Sequence, residues 1–144
     1  RRCVAMLQAK MPALRFASAI HPSSVVAEGV EIGEGTVVMA GAVINPGCRI
    51  GRHCIVNTGA CLDHESVMED FSSLAPGVVT GGNVHVGEGA AIGLGASIIH
   101  GMSIGRETVI GAGAVVVQDI PANVVAMGVP ARVTRKRQGG EKYL

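Results

Sequence analysis

The chain is predicted to fold as a parallel β-helix, and three features of the sequence say so. Stepping by six from Ile20 gives Ile20, Val26, Ile32, Val38, Ile44, Ile50, Val56, Leu62, Met68, Leu74, Thr80, Val86, Ile92, Ile98, Ile104, Ile110 and Val116; all but Thr80 are apolar. Four residues after each start the side chain is usually small, as at Ala42, Cys48, Cys54, Ala60, Ser66, Ser72, Ala90 and Ala96. One residue before that small position glycine dominates, as at Gly29, Gly35, Gly41, Gly59, Gly77, Gly89, Gly95 and Gly113. A six-residue unit is too short for a helical hairpin or a propeller blade, but it fits one short strand plus one corner of a solenoid.

Each part of the hexad then has a physical role. The aliphatic side chain points into a narrow prism and stacks on its counterpart one coil away. The small residue fits where the interior tapers, and glycine supplies the backbone angles of a tight corner. Three hexads make one triangular coil, so seventeen hexads give a little under six coils. At roughly 4.8 Å between stacked strands the prism is about 27 Å long.

Composition agrees. Aromatic residues make up only 2% of the chain, so the core must rest on stacked Val, Ile, Leu and Ala. A net charge of +1 argues against general nucleic-acid binding. No apolar run approaches the roughly eighteen residues of a membrane span, and no signal-peptide pattern opens the chain. Of the four cysteines, Cys48 and Cys54 fall on the small position, Cys61 ends its hexad and Cys3 lies outside the repeat. No CxxC occurs, so neither a structural disulfide nor a zinc site is expected, which suits a reducing, cytoplasmic setting.

Three regions follow. Residues 1–19 precede the repeat. Val4, Leu7, Met11 and Leu14 stand at near-helical spacing interrupted by Pro12, which reads as a cap on the first coil or the remnant of an upstream domain. Residues 20–121 are the β-helix. Residues 122–144 form a C-terminal segment with a basic run, Arg132, Arg135, Lys136 and Arg137, and a mobile tail from Gln138 onward.

Several residues are not explained by the repeat. His64 follows the inward Leu62 by two and should point outward at a corner, with Asp63 and Glu65 beside it. A histidine titrates where a general base is useful, and a neighbouring carboxylate would fix its tautomer; the alternative is a solvated surface histidine. Asn57, one hexad earlier, is suited to positioning a polar ligand or to tolerating unusual corner angles. His100 lies 36 residues beyond His64, two coils on, which places their strands about 10 Å apart. His21, His53 and His85 have no partner at ligand spacing and read as surface residues. The Gly87-x-Gly89 and Gly93-x-Gly95 pairs are corners, because no helix follows them to bind a phosphate.

The hexads, the terminal Gly128-Val129-Pro130-Ala131 and the stretch Asn57-Thr58 through His64-Glu65 resemble the hexapeptide-repeat acyltransferases. The similar branch contains bacterial nucleotide-sugar N-acetyltransferases and sialic acid O-acetyltransferases. The resemblance covers about residues 17–135 and implies a left-handed β-helix, a homotrimer and an acetyl-CoA-dependent enzyme. It implies acetyl transfer to the amino group of a nucleotide-linked amino sugar, in bacterial surface-glycan biosynthesis. Acetylation of a sialic acid or other hydroxyl acceptor, a serine or small-sugar acceptor and a non-catalytic scaffold are the competing readings.

In that family the residue after the histidine orients it, which favours Glu65 over Asp63. Asn57 and Ser73 are then substrate-binding positions; Ser73 stands where many relatives carry a second histidine. Gly82, Leu94 and Ala112 are the expected contacts to the pantetheine arm of coenzyme A, with Gly82 directly over His64; the basic run from Arg132 is expected at the coenzyme's phosphates, the alternative being a solubilising tail. No metal is implied: the zinc-dependent β-helix carbonic anhydrases place two histidines five apart, a spacing absent here. Relatives also carry a small nucleotide-binding domain ahead of the β-helix, and nothing in this chain resembles one. The chain is therefore expected to bind acetyl-CoA normally and a nucleotide sugar weakly.

Overall fold

A computed structural model describes residues 1–138 and 141. Seventeen two-residue strands, β1 (Ala19–Ile20) through β17 (Val115–Val116), recur every six residues, and the second residue of each is the aliphatic position of the hexad. Each strand from β1 to β14 pairs in parallel with the strand eighteen residues on, so that Val38 meets Val56 and Val56 meets Leu74. The result is a three-faced, left-handed parallel β-helix of about six coils.

The aliphatic column is the core. From Val38 to Val116 every inward residue is at most 3% exposed. Ile20 stays half exposed because the first coil has no coil beneath it. Polar residues on the small column are buried but bonded: Thr36 Oγ1 donates to the Gly51 carbonyl at 2.8 Å, and Ser66 Oγ accepts the Val84 N–H at 3.1 Å. Burial pushes the Cys48 and Cys54 thiols above the usual thiol range.

The glycine column is the set of corners. Its glycines from Gly29 to Gly113 all have φ between 62° and 77°. Where glycine is missing, His53, Glu65, Phe71, Asn83 and Glu107 take the same left-handed conformation, at φ between 55° and 61°. A side chain there costs of order 1 kcal/mol or more, so each of these five is a candidate for a specific purpose.

The three faces differ on the outside. The first carries Val37, Ile55, Ser73, Ala91 and Val109; the second Val25, Val43, Cys61, Val79, Ser97 and Val115; the third Glu31, Arg49, Val67, His85 and Ser103. Two faces are thus mainly apolar and one mainly polar. Beyond the repeat, β18 (Val124–Met127) continues the first face, and β19 (Arg132–Lys136) pairs antiparallel with it. The expected mobile tail falls mostly outside the described residues; Arg137 within the segment is buried and donates to the Glu107 carbonyl at 2.8 Å.

The helix α1 (Arg2–Lys10) buries none of its residues. The segment around it runs along the edge between the third and first faces. Arg1 pairs with Glu88 and Glu107 and lies 5.2 Å over the Phe71 ring; further down, the Phe16 and Phe71 rings contact His53 on either side at 4.9 and 5.0 Å. His53 is therefore not the free surface residue expected from its spacing: the corner column brings it between two aromatic rings. His85 is also engaged, with Nε2 3.0 Å from Glu69.

Candidate active site

His64 occupies the corner after β8 (Cys61–Leu62), on the edge between the second and third faces. Leu62 is fully buried and anchors the strand, so a residue two further on must leave the prism. The imidazole lies against the corner one coil on. A β-carbon at Gly82 would stand 2.4 Å from both Cε1 and Nε2, so only glycine leaves room for the ring. On the other side, Nδ1 faces Glu65 Oε2 at 3.4 Å. Glu65 holds its left-handed corner where glycine would be easier.

Asp63 does different work. Its carboxylate accepts the His64 backbone N–H at 2.8 Å and the Asn45 amide at 2.6 Å. These bonds, the backbone one first, hold its carboxyl below the usual range. Of the two acids beside His64, Glu65 meets the ring and Asp63 fixes the backbone.

The separation expected between His64 and His100 needs correcting. Their corners are two coils apart, yet the ring centroids are 6.0 Å apart. Strand spacing measures the backbone column; the two side chains lean together across Gly82, which offers nothing to keep them apart. Among the described residues no group of three His, Cys, Asp or Glu is placed to hold a metal ion.

The remaining expected site residues lie elsewhere on the prism. Asn57 is at the next edge, between the first and second faces, where its Oδ1 accepts the Thr58 N–H at 2.8 Å. Leu94 and Ala112 stand one and two coils above the corner at Pro76. They border an open apolar groove of about 510 Å³, which Ser73 also lines from the first face. Arg135 and Arg137 border the same groove, while Arg132 turns its guanidinium back to the Ala131 carbonyl at 2.9 Å. Gly82 alone of the expected coenzyme contacts shares the His64 edge. The expected site residues therefore fall on the two edges that flank the second face.

Sequence reasoning passed over Asn45 and Thr80 and gave Asp63 no role. Thr80 was visible as the one break in the aliphatic column; Asn45 gave no signal, since a corner asparagine is unremarkable.

Comparison with known proteins fits this picture. The family described as bacterial transferase hexapeptide (six repeats) matches residues 29–64. Serine acetyltransferase from Salmonella typhimurium is 37% identical over 94% of the chain, which spans 45% of that protein. The acetyltransferase domain of PglB from Neisseria gonorrhoeae superposes with a TM-score of 0.88 at 36% identity, over 92% of this chain and 64% of that one. A histidine-to-alanine mutant of GDP-perosamine N-acetyltransferase from Caulobacter crescentus, in complex with CoA and GDP-perosamine, superposes with a TM-score of 0.89 at 42% identity, over 94% and 64%. In repeat, coil and backbone likeness, the chain resembles the hexapeptide-repeat acyltransferases.

Proposed function

We propose that the chain transfers an acetyl group from acetyl-CoA to the amino group of a nucleotide-linked amino sugar, as a cytoplasmic homotrimer serving glycan biosynthesis. The observation that carries this reading is the His64 ring, laid on the side-chain-free Gly82 with Glu65 at Nδ1. The similarity to proteins whose structures hold CoA with GDP-perosamine, or acetyl-CoA, favours a nitrogen acceptor on a sugar nucleotide.

The chemistry follows from the residues. The acceptor nitrogen forms a bond to the thioester carbonyl carbon, and the carbon–sulfur bond breaks as the tetrahedral intermediate collapses. His64 takes the proton the amine must lose and returns it to the departing thiolate, which leaves as the CoA thiol. Glu65 steadies the imidazole and the positive charge it gains. The pantetheine arm, an extended chain of amides and methylenes, suits the apolar groove beside Leu94 and Ala112, with Arg135 near its phosphates. Because His64 and that groove lie on different edges, a working site takes one edge from each of two adjacent copies.

The test is His64→Ala. Turnover, read as released CoA thiol with GDP- and UDP-linked amino sugars, should fall roughly a hundredfold or more, while calorimetry shows acetyl-CoA still bound. Unchanged turnover would remove His64 from the mechanism.

A further inference from the structure

Thr80 is the one polar residue among seventeen inward positions, and it is 3% exposed. A buried hydroxyl in an aliphatic column needs a partner, and its partner is one residue from His64: Thr80 Oγ1 accepts the Asp63 backbone N–H at 3.0 Å. In the coils around it the equivalent N–H bonds to backbone instead. Asn45 N–H goes to the Leu62 carbonyl at 3.0 Å, Gly81 N–H to Ile98 at 2.8 Å, and Ile99 N–H to Val116 at 3.1 Å.

The ladder changes at the same place. Strands on this face pair through both residues, as Val43–Ile44 does with Cys61–Leu62. Between β8 and β11 (Val79–Thr80) only Cys61 and Val79 remain in register. The corner that follows β11 is Gly81-Gly82-Asn83, on which the His64 ring rests. The rungs on either side are kept, with the Cys61 N–H on the Val78 carbonyl at 2.8 Å and the Asn83 N–H on the His64 carbonyl at 2.8 Å, so the change is confined to the Asp63 N–H and its acceptor.

We propose that Thr80 is a positioning residue for the catalytic base: its hydroxyl replaces the ladder carbonyl above Asp63 and thereby holds the backbone from which the His64 side chain leaves the prism. Asp63 is then held from both sides, by Thr80 one coil above and by Asn45 one coil below, and it passes that fixity to the His64 backbone N–H. This inference rests on the reading of His64 as the base.

The experiment compares Thr80→Val, which keeps the volume and removes the acceptor, with Thr80→Ser, which keeps the acceptor. Two readouts are taken on the full chain. One is kcat and the acetyl-CoA KM. The other is the tautomer ratio and titration of the His64 imidazole by nitrogen-15 NMR, with Asp63, Glu65 and His100 as the titrating groups around it and the Cys48 thiol behind Asp63. Thr80→Val should lower kcat roughly tenfold or more, leave the KM within about twofold, and change the tautomer ratio; Thr80→Ser should match the parent in all three. A merely structural role would change melting temperature and leave the imidazole spectrum alone. If the valine variant does not fold, Thr80→Cys offers a weaker acceptor and gives the same comparison. An imidazole titration and tautomer ratio identical to the parent's in the variant without the hydroxyl would overturn the proposal. Full activity of His64→Ala would instead overturn the base assignment, and the NMR comparison would still decide the role of Thr80.

Discussion

The His64 ring rests on Gly82, whose absent side chain leaves its place to Cε1 and Nε2. Gly82 is not in the left-handed region, so alanine is compatible with its backbone, and the nearest conflicts are all with the ring. Gly82→Ala should therefore fold with a melting temperature close to the parent's, yet lose roughly ten- to a hundredfold in kcat, the scale expected for a displacement of about 1 Å at a catalytic group. Equal kcat in the two proteins would show that the ring works from another position.

Asp63 gives a pH prediction. Its folded pKa is lowered, so its bonds to the His64 N–H and the Asn45 amide stabilise the fold above the unfolded carboxylate value and cease to do so as pH falls through the folded one. The melting temperature of Asp63→Ala should lie below the parent's at neutral pH. The gap should narrow as pH drops below about 4. A gap that stays constant between pH 7 and pH 2 would mean that the carboxylate charge contributes nothing there.

Assembly is the third prediction. His64 lies at one border of the second face, and the groove of Leu94 and Ala112 at the other. Three copies with their second faces turned toward a common axis would set each His64 edge beside the next copy's groove. Light scattering should give about three times the 14.6 kDa chain mass. Val79, 48% exposed on that face, should tolerate glutamate in the monomer but not in the trimer, so Val79→Glu should dissociate the protein and abolish turnover. An active parent protein running at the mass of one chain would exclude a shared site.

The hexads carried most of the fold because each residue there meets the same environment every eighteen positions. Ile44, Leu62 and Thr80 face inward for one reason, and the pattern needs no knowledge of distant contacts. The same regularity singled out His64, which no corner requires. The approach of His100 to His64 is a matter of how side chains lean, and periodicity fixes only their backbones. His53 looked idle because its neighbours Phe16 and Phe71 lie eighteen residues or more away, outside any local pattern. Thr80 was legible as an exception but not as a function, since its partner is a backbone N–H one coil below. The strands β18 and β19 follow the end of the six-residue count, where pairing depends on the turn at Gly128-Val129-Pro130.

A solenoid whose coils touch only their neighbours behaves as a one-dimensional array, free to fray from either end. Here the edge between the third and first faces departs from that rule. Arg1 bonds to Glu107 across 106 positions of sequence, and Arg137 approaches the same carboxylate at 3.4 Å from the far end of the chain. With Phe16 and Phe71 gripping His53 lower down, the first and last segments are fastened to the same row of corners. Loss of an outer coil then breaks contacts several coils away, so unfolding should approach a single cooperative step rather than proceed rung by rung.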